Sequence, residues 1–131
     1  MKNFMHRPDL GLLLFRLFIG LTMAFAHGWG KLPPPHMLVD GVASMGFPLP
    51  LFFAWCAALS EFVGGLLIAT GLWTRLASAS LVVTMGVAAF IAHGADPFEK
   101  KEMALLYLIS SILLVFQGAG SLSLDRILRK K

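Results

Sequence analysis

Charge is scarce in this chain. Its 131 residues include 11 Lys and Arg and 7 Asp and Glu, 14% in all, where soluble domains carry about a quarter. Cysteine is scarcer still: Cys56 stands alone. A single thiol excludes an intramolecular disulfide and a CxxC relay, so any thiol chemistry needs a partner protein. The apolar segments lack the period-two alternation of membrane barrel strands. No cofactor fingerprint is present, and no folded basic surface of the kind nucleic acid requires. An enzyme acting alone is therefore the least supported reading.

Apolar residues make up 57% of the chain, with a mean hydropathy of +0.77. They gather in four blocks rather than spreading as a soluble core would, at about residues 10–30, 51–73, 75–93 and 102–118. Roughly 20 apolar residues cross a bilayer as a helix, and lipid offers the backbone no hydrogen-bond partners outside a helix or closed barrel. The expected fold is all-α: a single domain over 1–131, built as a four-helix transmembrane bundle with a basic tail over 119–131. The first block also resembles a signal peptide, with Lys2, His6 and Arg7 ahead of it and Ala24-Phe25-Ala26 as a cleavage-like site. Arg16 interrupts that reading, and the block is expected to remain as a span.

Basic residues orient the spans. Lys2, Arg7, Arg75, Arg126, Arg129, Lys130 and Lys131 fall on one side, and Lys31, Lys100 and Lys101 on the other. Positive-inside counting places both termini in the cytoplasm. The tail is expected to rest on anionic headgroups. After the first span, Pro33-Pro34-Pro35 stops the helix, and the apolar loop to Pro50 is expected to form a short helix along the outer interface. Trp29, Phe47, Phe52, Phe53 and Trp55 suit an aromatic belt there. Ser123 or Asp125 is expected to cap a short amphipathic helix in the tail.

Two blocks close on nearly the same phrase, Phe25-Ala26-His27-Gly28 and Phe90-Ile91-Ala92-His93-Gly94. Both spans run outward, so His27 and His93 are expected at similar depth. Ionisable residues inside a membrane usually face the bundle or a cavity. At 100° per residue, Arg16 and His27 lie about 20° apart on one face. Glu61 has Ala57, Ala58, Gly64 and Gly65 one turn away, small residues that let helices approach closely. Depth then predicts an Arg16–Glu61 ion pair. Arg16, His27, Glu61, His93 and Glu102 form the candidate ligand-binding or proton-route set, a polar column able to bind the head of a small amphiphile such as a quinone. No metal site is assigned, and bis-histidine haem is a minor alternative. Plainer readings stand beside these. Arg16 and Glu61 can simply lock two helices, the histidines can be interfacial, Glu102 can be a helix-start acid, and Arg75 a topology anchor.

The chain resembles the DoxX family of small four-helix bacterial membrane proteins. The residues that carry the resemblance run through Leu14 to Arg16, Ala26-His27-Gly28-Trp29-Gly30-Lys31-Leu32, Gly46-Phe47-Pro48 and Glu61-Phe62-Val63-Gly64-Gly65. They continue through Gly71-Leu72-Trp73-Thr74-Arg75, His93-Gly94, Lys101-Glu102, Ala104-Leu105-Leu106-Tyr107 and Gly118-Ala119-Gly120 with Leu124-Asp125. The resemblance implies a link to quinone or thiol redox chemistry and complexes with soluble redox partners, and it highlights Arg16, His27, Lys31, Glu61, Arg75, His93 and Glu102. Quinone is thus the expected cofactor, and the bilayer, a soluble redox protein and a second copy of the chain are the expected partners. Two readings of other classes remain open: a non-redox protein that binds or passes a small hydrophobic or weakly acidic molecule, and an anchor for a soluble enzyme.

Overall fold

A computed structural model of the chain describes residues 7–131; Lys2 and His6, counted above for orientation, lie outside the described residues. All regular structure among those residues is helical. The first apolar block is α1 (Pro8–Thr22), which widens into a π-helical segment (Met23–Gly28) and tightens into a 3₁₀ turn (Trp29–Lys31). The expected loop helix is α2 (His36–Ser44). Next come α3 (Pro50–Thr70) and α4 (Thr74–Val87), the latter also widening into a π-helical segment (Ala88–Ala92). Finally α5 (Phe98–Gln117) leads to the short α6 (Leu124–Arg129).

Punctuation in the sequence sets these limits. Pro8 and Pro50 open α1 and α3 in the first turn, where the missing N–H costs nothing. Gly71 closes α3 in the left-handed region at φ 73°, with Leu72 N donating to Leu67 O at 2.9 Å. The repeated aromatic-alanine-histidine phrase also finds its structural meaning. Phe25 to Gly28 and Phe90 to Ala92 both lie in π-helical segments, wide turns that often accompany functional sites.

Three helical runs are long and apolar enough to cross a membrane: Pro8–Lys31, Pro50–Thr70 and Thr74–Ala92. In α5 the first turns carry Glu99, Lys100, Lys101 and Glu102, and apolar residues follow from Met103. Leu106, Ile109, Leu113 and Phe116 leave one whole stripe of α5 exposed and apolar. Phe18, Val83 and Phe90 are similarly exposed on the first and third of the three long apolar runs. An apolar exterior of this kind suits lipid and not water.

The packed faces are made of small residues. Gly20, Ala24 and Gly28 recur every four residues on α1 and its π segment, pressed against Gly65, Ala69 and Phe62 of α3. A Cβ on Gly28 would stand 2.5 Å from Phe62 N and 2.7 Å from its Cα. Lipid tails supply no hydrophobic force between helices, so close van der Waals contact of this type drives association. In turn, α3 packs on α4 and α4 on α5, around Met23, Ile68, Leu81, Met85, Leu108 and Leu114. Tyr107 closes the ring from α5 back to α1, its hydroxyl donating to Thr22 Oγ1 at 3.0 Å.

Candidate functional site

The α1–α3 crossing decides where the ionisable side chains meet. Because Gly28 rests on Glu61 and Phe62, the residue one turn on, Lys31, is carried over Glu61. Its Nζ donates to Glu61 Oε1 at 2.9 Å and Oε2 at 2.7 Å. Glu61 is 3% exposed, and its carboxylate is neutralised by a lysine a third exposed at the helix end. A lone charge at this position would be strongly disfavoured, and a pair with both oxygens bonded is tolerated.

This ion pair borders a cavity of about 570 Å³ between α2, α3 and α4. Leu38, Val42 and Met45 of the α2 region cover it, Phe47 and Phe53 meet at a tilt beside it with ring centroids 5.2 Å apart, and Val83 and Val87 form its α4 wall. The wall is mainly apolar, with polar groups in two places. Lys31, Glu61 and His93 supply ionisable heads. Ser60 Oγ lies 3.0 Å from Ser80 Oγ and 3.1 Å from Thr84 Oγ1, forming a hydroxyl ladder between α3 and α4. Cys56, one turn before Ser60, also faces the cavity. The arrangement suits one amphiphile, its apolar body against α2 and α4 and its polar head at the lysine and glutamate.

The expected polar column is only partly assembled. Glu61 and His93 line the cavity; Arg16, His27 and Glu102 do not. The predicted Arg16–Glu61 pair is corrected. Arg16 is fully buried, but Nη1 donates to Ile68 O at 3.3 Å and Nη2 to Leu122 O. Its guanidinium thus meets carbonyls at the negative end of α3 and the segment leading into α6. Rise along the axis made Glu61 look reachable, but Arg16 points toward the end of α3 and Lys31 takes the carboxylate. His27 packs edge-on against Tyr107, ring centroids 5.3 Å apart, on the α5 side. His93 instead places Nδ1 2.8 Å from Asp96 Oδ2. The two histidines do not converge, which removes the geometry for bis-histidine haem. Glu102 is exposed near the start of α5.

Outside the spans, the Asp96 carboxyl is held below its ordinary value, first by the His93 hydrogen bond, which desolvation opposes, and then by the charges of Lys100, His93 and Lys101. The pair fastens the turn that leads from α4 to α5. At the opposite end, the tail is docked rather than free. Ser123 caps α6, accepting from Arg126 N at 3.3 Å. Asp125 reaches elsewhere: its carboxylate accepts from Trp73 N at 2.8 Å and Thr74 N at 3.2 Å, at the start of α4. Trp73 holds the left-handed region at φ 46°, where a non-glycine residue costs about 1–2 kcal/mol, and the Asp125 bonds offset that strain.

From the sequence, Lys31 counts as an outer-side charge for orientation, and only the resemblance marks it as a site residue, since it stands at a helix end among loop residues. The signal that places it was present in the spacing Gly20, Ala24, Gly28: continuing this stripe as the α1–α3 contact brings the next turn, Lys31, onto Glu61.

The DoxX family model matches residues 11–94. Over 96% of both chains, the protein is 34% identical to an uncharacterized protein of Haemophilus influenzae. It is 32% identical to the Bacillus subtilis protein named "Putative oxidoreductase CatD", over 89% of this chain and 86% of that one. It is 31% identical to the Escherichia coli "Inner membrane protein YqjF", over 94% and 95%. No solved structure matches. With these matches and its lipid-suited helices, the chain is an integral membrane protein of the DoxX family.

Proposed function

We propose that the protein is a quinone-binding, redox-associated subunit of the bacterial inner membrane, with four spans and both termini in the cytoplasm. The observation that carries this reading is the apolar cavity of about 570 Å³ bordered by the Lys31–Glu61 pair. A quinone needs an apolar bed for its tail, a donor at a carbonyl and a proton source on reduction. Lys31 Nζ is the donor, Glu61 the group that holds it, and His93 the imidazole at the same cavity. The hydroxyls of Ser60, Ser80 and Thr84 line the wall between the α3 and α4 backbones. A redox role draws support from the name of the Bacillus subtilis relative, and an inner-membrane location from that of the Escherichia coli one. The exposed apolar stripe of α5 supports the fourth crossing. In this reading the bound quinone exchanges electrons with a soluble partner protein.

The test is quinone titration of the intact protein in nanodiscs, with two variants that change the cavity in different ways. Lys31→Met removes the donor, and Ala57→Phe fills the apolar bed. Each is expected to weaken binding at least tenfold, about 1.4 kcal/mol, while circular dichroism stays helical. Quinone binding that neither variant alters would remove the cavity from the proposal. A fatty acid that binds while quinone does not would turn the same cavity, with its lysine ammonium, into a non-redox site for weakly acidic amphiphiles.

A further inference from the structure

A second cavity, of about 480 Å³, opens at the other end of the bundle, between the α3–α4 turn, the end of α5 and α6. Three guanidinium groups line it, those of Arg75, Arg126 and Arg129, against one carboxylate, Asp125. That carboxylate is committed to the backbone of Trp73 and Thr74. Arg75 uses only Nη2, on Phe116 O at 3.3 Å, out of five N–H donors in its fork. The guanidinium groups of Arg126 and Arg129 make no hydrogen bond among the described residues, although Asp9 lies within electrostatic reach of Arg126. The cavity therefore holds an excess of positive charge with unused planar donors.

The backbone that carries these arginines is held in place. Asp125 N donates to Gly71 O at 2.9 Å, and Arg16 bonds Leu122 O from below, so α6 is pinned to the turn and presents Arg126 and Arg129 beside Arg75. A Cβ at Gly118 would stand 3.1 Å from Arg75 Nε, so the small residue there gives the guanidinium its place. The rim bears exposed Trp73 and Leu76, which lead onto the apolar side of α4.

We propose that this cavity binds a phosphate ester, and that its source is the headgroup of an anionic phospholipid whose acyl chains run along α4 past Trp73 and Leu76. Guanidinium forks match phosphate oxygens in pairs, and a basic end of a membrane bundle meets anionic lipid headgroups. The bound lipid would join α4, α5 and α6 across a single headgroup.

The experiment is thermal unfolding of the full chain in detergent with added phosphatidylglycerol, phosphatidylcholine or glycerol 3-phosphate. The expected result is a rise in Tm with phosphatidylglycerol that phosphatidylcholine does not give. The rise is lost in Arg126→Gln/Arg129→Gln and kept in Lys130→Gln/Lys131→Gln, which removes the same charge outside the cavity. The unliganded Tm of each variant reports whether it folds. A glycerol 3-phosphate response equal to that of the lipid would keep the phosphate site and replace its source with a soluble ester. Equal responses to the two lipids, or equal loss in both double variants, would overturn the site in favour of diffuse charge.

Discussion

Glu61 illustrates how one side chain is specified jointly by its helix and its neighbour. Its small flanking residues turn it inward, but its partner is chosen by the α1–α3 crossing, which delivers Lys31 Nζ to both carboxylate oxygens. Breaking a buried pair from one side leaves an uncompensated charge and costs about 3–5 kcal/mol, whereas replacing both partners by apolar residues is often neutral. Lys31→Met is therefore expected to lower stability by roughly that amount, and Lys31→Met/Glu61→Met to recover most of the loss, as measured by unfolding in mixed detergent micelles. Additive losses would show that the two residues are not coupled. His93 and Asp96 allow a pH prediction in the turn between α4 and α5. The folded Asp96 carboxyl titrates below its ordinary value of 3.8. The stabilisation from the pair is thus present above that value and fades as pH falls through the folded one. An NMR titration should place the Asp96 midpoint below 3.8, and His93→Ala should move it upward; a midpoint unchanged by that substitution would contradict the pairing.

At the scale of elements, the α1–α3 contact governs the site from a distance. The Gly20, Ala24 and Gly28 stripe brings two backbones close enough that no side chain fits between them. Gly28→Ala would set its Cβ against the Phe62 backbone, which cannot give way as a flexible side chain can. Overpacking of this kind costs about 1–3 kcal/mol. The structure adds a second consequence, since moving α1 off α3 draws Lys31 away from Glu61. Gly28→Ala is expected to lower both the Tm and the affinity for quinone, while Gly30→Ala, where a Cβ meets nothing within 4 Å, should change neither. Matching losses in the two variants would separate the crossing from the site. The π-helical endings of the first and third spans were written in the repeated phrase but were not legible from it, because aromatic, alanine and histidine residues fit an α-helix equally well. Only packing against α3 and α5 shows the two histidines turned to different surroundings, His27 to Tyr107 and His93 to the cavity.

For the whole molecule, the question is how many times the chain crosses the bilayer. Charge at the start of α5 separates it from the three runs that satisfy length and hydropathy together. Its exposed stripe of Leu106, Ile109, Leu113 and Phe116 would meet water if it did not cross. Reporter fusions after Gly94 and after Lys131 are therefore expected on opposite sides of the membrane, the second in the cytoplasm. Fusions reporting the same side would leave α5 on the surface. The docked tail belongs to this scale too, since Arg16 and Asp125 tie α1, α3, α4 and α6 into one end of the bundle.

The sequence by itself determined that the protein is helical and made for lipid, because the backbone must satisfy itself where water is absent and apolar blocks of spanning length leave few alternatives. It also marked Glu61 as inward-facing, through the small residues one turn away, and gave the family through motifs distributed along the chain. The tertiary structure decided the pairings. Periodicity fixes a residue's direction around its own axis, but neither the crossing angle of two helices nor the reach of a long side chain. For that reason Arg16 meets backbone carbonyls and not the Glu61 that depth predicts, the cap expected of Ser123 or Asp125 falls to Ser123 while Asp125 holds the start of α4, and Lys31, at the end of its helix, completes the candidate site.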